Sequence, residues 1–173
     1  MPLEPRRYTQ EEIDELIACP KAVSDPPRKE MKQDRGHFRN DMRLKSTDEK
    51  FEFRAFMRRS EDFPENFSIG LAFLPKDGTG ELILLRCNGP HGDFNDAFDP
   101  ANPHFDFHVH RASAAMMEEG LRAEKSATVN RDFASYEEAL QYFVRVASIT
   151  DASSWFKDTR QRELPFAEEE PNA

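Results

Sequence analysis

The stretch FSIGLAFLPKDGTGELILLRC, residues 67–87, decides the fold. It contains two apolar runs, 67–74 and 81–87, separated by the turn sequence Lys76-Asp77-Gly78. An Asp-Gly pair between two apolar runs is a strong signal for a β-hairpin. The second run is apolar at consecutive central positions, which is typical of a strand buried on both faces. The stretch therefore predicts the central hairpin of an antiparallel sheet.

Further strands are predicted on both sides of this hairpin. Residues 51–58 place apolar side chains at every second position, with Phe56 as the exception. After a loop rich in Gly, Pro, Asn and Asp (88–103), residues 104–111 alternate in the same way, and a fifth strand is expected around 122–128. The sequence thus predicts an antiparallel sheet of four to five strands, connected as a meander.

Two helices are predicted to pack on one face of this sheet. Thr9 and Glu12 have the spacing of a capping box, and an apolar stripe follows until Pro20 ends the helix. Ser135 and Glu138 repeat the capping-box spacing before a second, longer apolar stripe. Helices beside an antiparallel sheet define the α+β class.

The remaining segments complete a single predicted α+β domain, residues 1–160. Residues 24–46 show little apolar periodicity, so they are expected to form a mostly irregular connector. Between residues 20 and 50 there are nine Lys or Arg against six Asp or Glu, a local basic excess that can contact phosphate or pair with the acidic body. Residues 161–173 are predicted to form an acidic, disordered tail.

Composition excludes several classes of protein. The net charge is −9 over 173 residues, so a basic protein that coats nucleic acid is excluded. The longest aliphatic run falls far short of the roughly 20 apolar residues that a membrane span needs. Two cysteines and an N-terminus without the pattern of a secretory leader favour a reducing compartment. We therefore expect a cytoplasmic protein that has no membrane partner.

The residues with the clearest chemical potential are histidines. Four of the five histidines lie between residues 91 and 110. Strict alternation along the predicted strand 104–111 places three of them on one face, where side chains two residues apart are roughly 7 Å apart. Such spacing allows two imidazoles to act on one phosphate or to share a metal ion.

The preferred interpretation is acid–base chemistry on RNA, in which one imidazole deprotonates a 2′-OH, another protonates the leaving oxygen and an arginine stabilises the phosphate. It requires no metal or other cofactor, because imidazole pKa values near 6.5 suit both roles. The predicted catalytic residues are His91, His108, His110 and Arg86. The predicted substrate-binding residues are Asn88, His104, Asp106 and Arg111.

Two other interpretations of the histidines remain open. In the first, His108 and His110 bind a divalent transition metal together with His91 or Asp106. It ranks second because the spacing His-x-His is common by chance. In the other, the histidines are polar positions on the solvent-facing side of an edge strand and carry no chemistry.

Four short stretches share a recognisable pattern: Tyr8–Ile17, Leu84–His91, Pro103–His110 and Ser135–Leu140. Together they resemble a family of small, uncharacterised proteins of bacteria and phages. The order of these motifs is also similar, more distantly, to TumE-type toxins of toxin–antitoxin pairs. That resemblance implies a growth-inhibiting protein neutralised by a helix-turn-helix antitoxin. The site residues it implies are Arg86, Asn88, His91, His108 and His110.

Two functions of different classes follow. The first is a toxin-like protein of a bacterial mobile element or toxin–antitoxin pair, acting as a metal-independent ribonuclease with an antitoxin or a target complex as protein partner. The alternative is a non-catalytic inhibitory binder, such as a phage or plasmid counter-defence protein. In that alternative the acidic surface imitates nucleic acid and occupies a basic groove.

Overall fold

The computed structural model describes residues 4–91 and 102–156, which form eight strands and three α-helices. The strands are β1 (Lys21–Asp25), β2 (Lys32–Asp34), β3 (His37–Ser46), β4 (Glu52–Ser60), β5 (Phe67–Phe73), β6 (Leu82–Asn88), β7 (His108–Arg111) and β8 (Ala127–Val129). The helices are α1 (Gln10–Ala18), α2 (Ala114–Glu118) and α3 (Tyr136–Val146). The predicted tail, 161–173, lies outside the described residues.

All eight strands belong to one antiparallel sheet. Its order is β1-β3-β4-β5-β6-β7-β8, and β2 pairs with β3 as well. The predicted hairpin forms its centre as β5 and β6, with Gly78 of the connecting turn at a φ of 78°, a conformation that favours glycine. The α+β class and the antiparallel sheet are confirmed, but the sheet has eight strands where four to five were expected.

Residues 24–46, expected to be an irregular connector, lie mostly in strands of this sheet. All ten residues of β3 alternate between exposed and less exposed positions, with Asn40, Met42 and Leu44 buried. The prediction was wrong because the five inward positions include the polar Asn40 and Ser46 and the outward positions are mostly charged, so the period-2 signal is weak. Pairing with β4 over nine residues specifies β3 as a strand, which is a tertiary rather than a local effect.

Both long helices contribute their apolar sides to one hydrophobic core, which also contains alternate residues of the central strands. From the helices it contains Ile13, Leu16, Ile17, Ala139, Leu140 and Phe143. From the central strands it contains Phe53, Ala55, Met57, Ile69, Leu71 and Cys87 among others. The Thr9–Glu12 capping box forms in full, and Ser135 accepts a hydrogen bond from the Glu138 amide. We call this side of the sheet the closed face.

The intervening strand residues point to the opposite side, which we call the open face. Within the described residues, no α-helix contributes a buried side chain to it, and the buried Phe56 and Ala72 lie outside the core cluster. Strand register aligns its central residues, which are Arg54, Phe56, Arg58, Ser68, Gly70, Arg86, Asn88, His108 and His110. The two faces of the sheet thus differ in chemistry.

One buried cation links the ends of α1 and α3. The Lys21 ammonium donates hydrogen bonds of 2.8 Å to the carbonyls of Ile17, Cys19 and Ala147, and lies 4.7 Å from the Phe53 ring centroid. Burial lowers the pKa of Lys21 to about 8. Lys21 therefore satisfies carbonyls that would otherwise lack a partner at two helix ends.

Among residues 4–91 and 102–156, no helix is both long enough and apolar enough to cross a membrane.

Candidate functional site

Four histidines meet on the open face where β6 and β7 lie side by side. The register places His108 opposite Asn88 and His110 opposite Arg86. His91 follows β6 closely, and its amide donates a 2.8 Å hydrogen bond to the carbonyl of His104. His104 lies in a 3-10 helix that precedes β7. Three different local structures therefore bring these imidazoles together.

The imidazole rings contact one another closely. Ring centroids are 4.9 Å apart for His91 and His104, 5.0 Å for His91 and His108, and 4.8 Å for His104 and His108. His110 lies beside this trio, at 5.4 Å from His104 and 5.1 Å from His108. One nitrogen from each of His91, His104 and His108 lies within 4.8 Å of the other two, so these three are the residues that could hold one metal ion.

Hydrogen bonds to the backbone determine the protonation of two rings. Nδ1 lies 2.8 Å from the Asp106 carbonyl in His108, and 2.8 Å from the Glu124 carbonyl in His110. A carbonyl only accepts, so each Nδ1 carries the proton and, in the neutral ring, each Nε2 carries the lone pair. Burial lowers the pKa of His108 to about 4 and also lowers the pKa of His110. At neutral pH both rings are proton acceptors or ligands, and neither is poised to act as the predicted general acid.

Beside the cluster, three buried polar atoms have no hydrogen-bond partner within the described parts of the chain. They are Arg86 Nε, Asn88 Oδ1 and Ser68 Oγ. Register aligns Ser68 with Asn88 and Asn88 with His108, so two of these atoms belong to one cross-strand row. An unsatisfied buried polar group costs about 1–3 kcal/mol, and a polar ligand at this position would recover part of that cost.

Arg86 is the cation that the strand register places beside His110. It lies opposite His110, and its guanidinium is 4.0 Å from the Glu124 carboxylate, a long ion pair. Desolvation lowers the pKa of Arg86 because the side chain is half-buried, although it stays protonated near neutral pH. Arg86 is therefore placed, as the sequence predicted, where it can contact an anion that reaches the cluster.

Two residues predicted to bind substrate have their charged groups paired with residues outside the cluster. Arg111 pairs with Leu85 in register and forms a 3.1 Å ion pair with Asp14 of α1, on the closed face. The Asp106 carboxylate forms a 2.7 Å ion pair with Arg131. Asp106 contributes to the site only through its main-chain carbonyl, which orients His108.

The predicted alternation along 104–111 was wrong in its first half. The strand begins at His108, and Pro103–Phe105 form a 3-10 helix whose N-cap is Asn102. The Asn102 side chain accepts a hydrogen bond from the His104 amide, which competes with extended structure. His104 still lies in the cluster, but the 3-10 helix places it there, and strand alternation could not predict that.

A group of arginines on the open face was also missed. The Phe56 ring lies against Gly70 of the neighbouring strand, where any Cβ would collide with it. The guanidinium carbons of Arg54, Arg58 and Arg86 lie 5.1, 5.6 and 5.7 Å from the centre of the same ring. Phe56 therefore gathers three cations on the open face, of which Arg86 lies opposite His110. Its place as the exception to the alternation was the available sequence signal.

Comparison with models of protein families, with curated proteins and with solved structures gives no match to this chain. The residues and their geometry must therefore carry any functional conclusion.

Proposed function

We propose that the protein is a toxin-like enzyme of a bacterial mobile element or toxin–antitoxin pair, and that it cleaves RNA at the histidine cluster. The observation that supports this is the placement of four imidazoles on the open face, beside Arg86 and among unsatisfied polar atoms. Perturbed, clustered titratable groups are typical of catalytic sites.

The charge distribution supports a polyanionic substrate. Although the chain carries a net charge of −9, six cations project from β3, β4 and β6 on the open face. They are Arg39, Arg43, Lys45, Arg54, Arg58 and Arg86. Within the described residues, Arg43 and Arg58 form no ion pair. A local positive surface leading to the cluster favours approach of a phosphate backbone.

The same surface argues against the acidic inhibitory binder as the leading function. A nucleic-acid mimic requires carboxylates that are free to contact a basic groove. On the open face the carboxylates of Asp41, Glu81 and Glu124 instead lie within 4.0 Å of arginines. The alternative remains as the interpretation that a failed activity test would favour.

The reaction that fits the site is transfer of the phosphoryl group within RNA. Nε2 of His108 or His110 accepts the proton of a 2′-OH, the 2′-oxygen forms a bond to phosphorus, and the bond to the 5′-oxygen breaks. The departing oxygen takes a proton from the half-buried His91–His104 pair, whose facing nitrogens are 3.3 Å apart. Arg86 stabilises the charge on the phosphate oxygens.

The first test is growth arrest after induction of the gene alone in a bacterial host. The comparison uses the wild type, the His108→Ala, His110→Ala double variant and His37→Ala, which changes the histidine outside the cluster. We expect arrest by the wild type and by His37→Ala, and relief by the double variant at equal soluble expression.

Cleavage of labelled RNA by purified protein locates the chemistry. Loss of positioned acid–base groups typically costs about 10²–10⁴-fold in rate, and we expect the double variant to lose that much. Cleavage unchanged in the double variant would contradict the site. If the well-folded wild type causes no growth arrest and cleaves no RNA, the proposed enzyme is contradicted. Retrieval of a basic nucleoprotein that polyanions release would then establish the acidic binder.

The proposal also implies a protein partner and a cytoplasmic target. Co-expression with a neighbouring helix-turn-helix gene should restore growth in the arrested strain and give a complex that copurifies. Arrest that persists despite complex formation would contradict neutralisation by that partner.

A further inference from the structure

We propose that His91, His104 and His108 bind one divalent transition-metal ion, and that zinc fits this ligand set best. The use of the metal in RNA cleavage rests on the proposed function, whereas the binding itself rests on the cluster alone. Imidazole nitrogens suit Zn²⁺, and three histidines with an open fourth position are a common arrangement for catalytic zinc.

The distances between the nitrogens match such a site. Zinc lies about 2.0–2.1 Å from each histidine nitrogen in a tetrahedral site, so two ligand nitrogens are about 3.3–3.4 Å apart. Nδ1 of His104 and Nε2 of His91 lie 3.3 Å apart. The ligand nitrogens of the trio all lie within 4.8 Å of one another. Two ligands therefore already have the required separation, and a shift of up to about 1.5 Å brings the His108 ligand nitrogen to the same separation.

A main-chain carbonyl orients the third ligand, His108. His108 donates its Nδ1 proton to the Asp106 carbonyl over 2.8 Å, which leaves Nε2 as the ligand atom. A histidine that binds metal usually donates its other N–H in this way, because that bond selects the tautomer and the ring orientation. The Asp106 carboxylate is itself held by Arg131 at 2.7 Å, so the orienting carbonyl is anchored.

The fourth position has suitable neighbours. His110 donates Nδ1–H to the Glu124 carbonyl, and its ring lies 5.1 Å from His108 and 5.4 Å from His104. The Nε2 atom of His110 therefore carries its lone pair beside the three ligands, without being one of them. Asn88 Nδ2 lies 3.4 Å from His108 Nε2, so this amide must turn away when that nitrogen binds metal. Asn88 Oδ1, which has no partner in the described chain, can then accept a hydrogen bond from a metal-bound water.

From the sequence alone, tight metal binding ranks second to acid–base chemistry. The metal pair expected there is His108 and His110, because they are two residues apart on one predicted strand. The structure instead groups His108 with His91 and His104, from three separate segments, which removes the objection that His-x-His is common by chance. With a metal bound, the nitrogens of His91, His104 and His108 would be its ligands, so the metal would act as a Lewis acid toward the phosphate. His110 Nε2 would then accept the 2′-OH proton, and a metal-bound water would supply the proton of the departing oxygen.

The test is metal binding by the tag-free, full-length chain after treatment with a chelator. Zn²⁺ alone is titrated by calorimetry, and Co²⁺ alone is titrated by its ligand-field absorption. We expect one equivalent to bind, with His104→Ala weakening the affinity by about 100-fold or more, since it removes one of three ligands. His37→Ala, on β3, is the matched control and should bind as the wild type does.

Folding and activity readouts make the outcome decisive. Metal should raise the melting temperature of the wild type but not of His104→Ala, because a ligand that binds only the native state stabilises it. Failure of the folded wild type to bind one equivalent, or equal affinity in His104→Ala and wild type, would overturn the metal site. Binding without RNA cleavage would overturn the proposed function alone, and full cleavage by metal-free protein would overturn the catalytic use of the metal.

Discussion

The closed and open faces of the sheet are built from the same strands, yet they have different physical roles. On the closed face, alternate strand residues pack against α1 and α3 in a core rich in phenylalanine. On the open face, the intervening residues include arginines, four clustered histidines near β7 and three polar atoms without partners in the described chain. The residues that stabilise the fold and those of the candidate site thus lie on opposite faces, since successive side chains of a pleated strand point to opposite sides.

The separation has a physical reason. A buried apolar side chain stabilises the fold wherever it is packed, whereas an unsatisfied polar atom destabilises it unless a ligand arrives. The unsatisfied atoms of Ser68, Arg86 and Asn88 lie together, so their destabilising free energy is confined to one region of the open face. The packed core of the closed face offsets this loss of stability.

The largest expected effect tests the closed face. Phe143→Ala removes a fully buried ring between α3 and the sheet, and we expect a loss of about 3–5 kcal/mol in the free energy of unfolding. Urea denaturation measures it. Phe63→Ala, at a side chain that is 71% exposed, should change stability by less than about 0.5 kcal/mol. Similar losses in both variants would contradict the location of the core.

The next effect concerns the cation at the helix ends. Lys21→Met fills the same space but leaves three buried carbonyls without donors, so we expect a loss of about 3 kcal/mol. Lys45→Met, on an exposed strand position with a 3.9 Å ion pair, is the control and should lose less than about 1 kcal/mol. Equal stability of Lys21→Met and wild type would show that the hydrogen bonds are dispensable.

A pH titration of stability sharpens the same point. The Lys21 ammonium has a pKa of about 8 in the folded chain, below the value of 10.5 expected when unfolded. Between these values the unfolded state binds more protons, so the free energy of unfolding should gain a rising contribution as pH increases from about 8 to 10.5. The difference between wild type and Lys21→Met isolates it when both carry Cys19→Ser, because the Cys19 thiol is coupled to Lys21 and would otherwise titrate differently in the two proteins. A constant difference across this window would contradict the lowered pKa.

A smaller effect distinguishes the two faces by activity. Arg86→Ala should lower RNA cleavage about 10–100-fold while the protein stays folded, because it removes a cation beside the reacting phosphate. Arg111→Ala, which breaks the pair with Asp14 on the closed face, should leave cleavage unchanged. A larger loss of cleavage in Arg111→Ala than in Arg86→Ala would mean that Arg111, and not Arg86, contacts the substrate.

The smallest effect is expected for Ser68→Ala, whose stability should stay unchanged or increase. Ser68→Ala removes a buried hydroxyl that has no partner in the described residues, so stability should stay the same or rise by up to about 1 kcal/mol. Thermal unfolding measures it. A clear loss of stability would mean that this hydroxyl is hydrogen-bonded in solution.

Prediction from sequence succeeded where the signal is local. The hairpin of β5 and β6 follows from its Asp-Gly turn, and the start of α1 from Thr9 and Glu12. It failed where distant pairing decides the structure. β3 carries mostly charged residues and becomes a strand because β1, β2 and β4 pair with it.

The site divides in the same way. His108 and His110 were correctly placed on one face, because the alternation of a strand is a property of the backbone itself. Arg111 was predicted to bind substrate without being assigned to a face, and the register puts it on the closed face beside α1. The meeting of His91 with His104 is accompanied by a main-chain hydrogen bond between residues 13 positions apart, which no periodicity encodes.

By itself, the sequence determined the α+β class, the central hairpin, the helix starts and the identity of the four histidines. These depend on neighbouring residues, whose backbone geometry and capping chemistry act over one or two turns. Only the tertiary structure decided that β1 to β3 extend the sheet, that Phe56 gathers arginines and that three imidazoles converge. Such contacts join residues far apart in the chain, and pairing and burial select them after the local elements have formed.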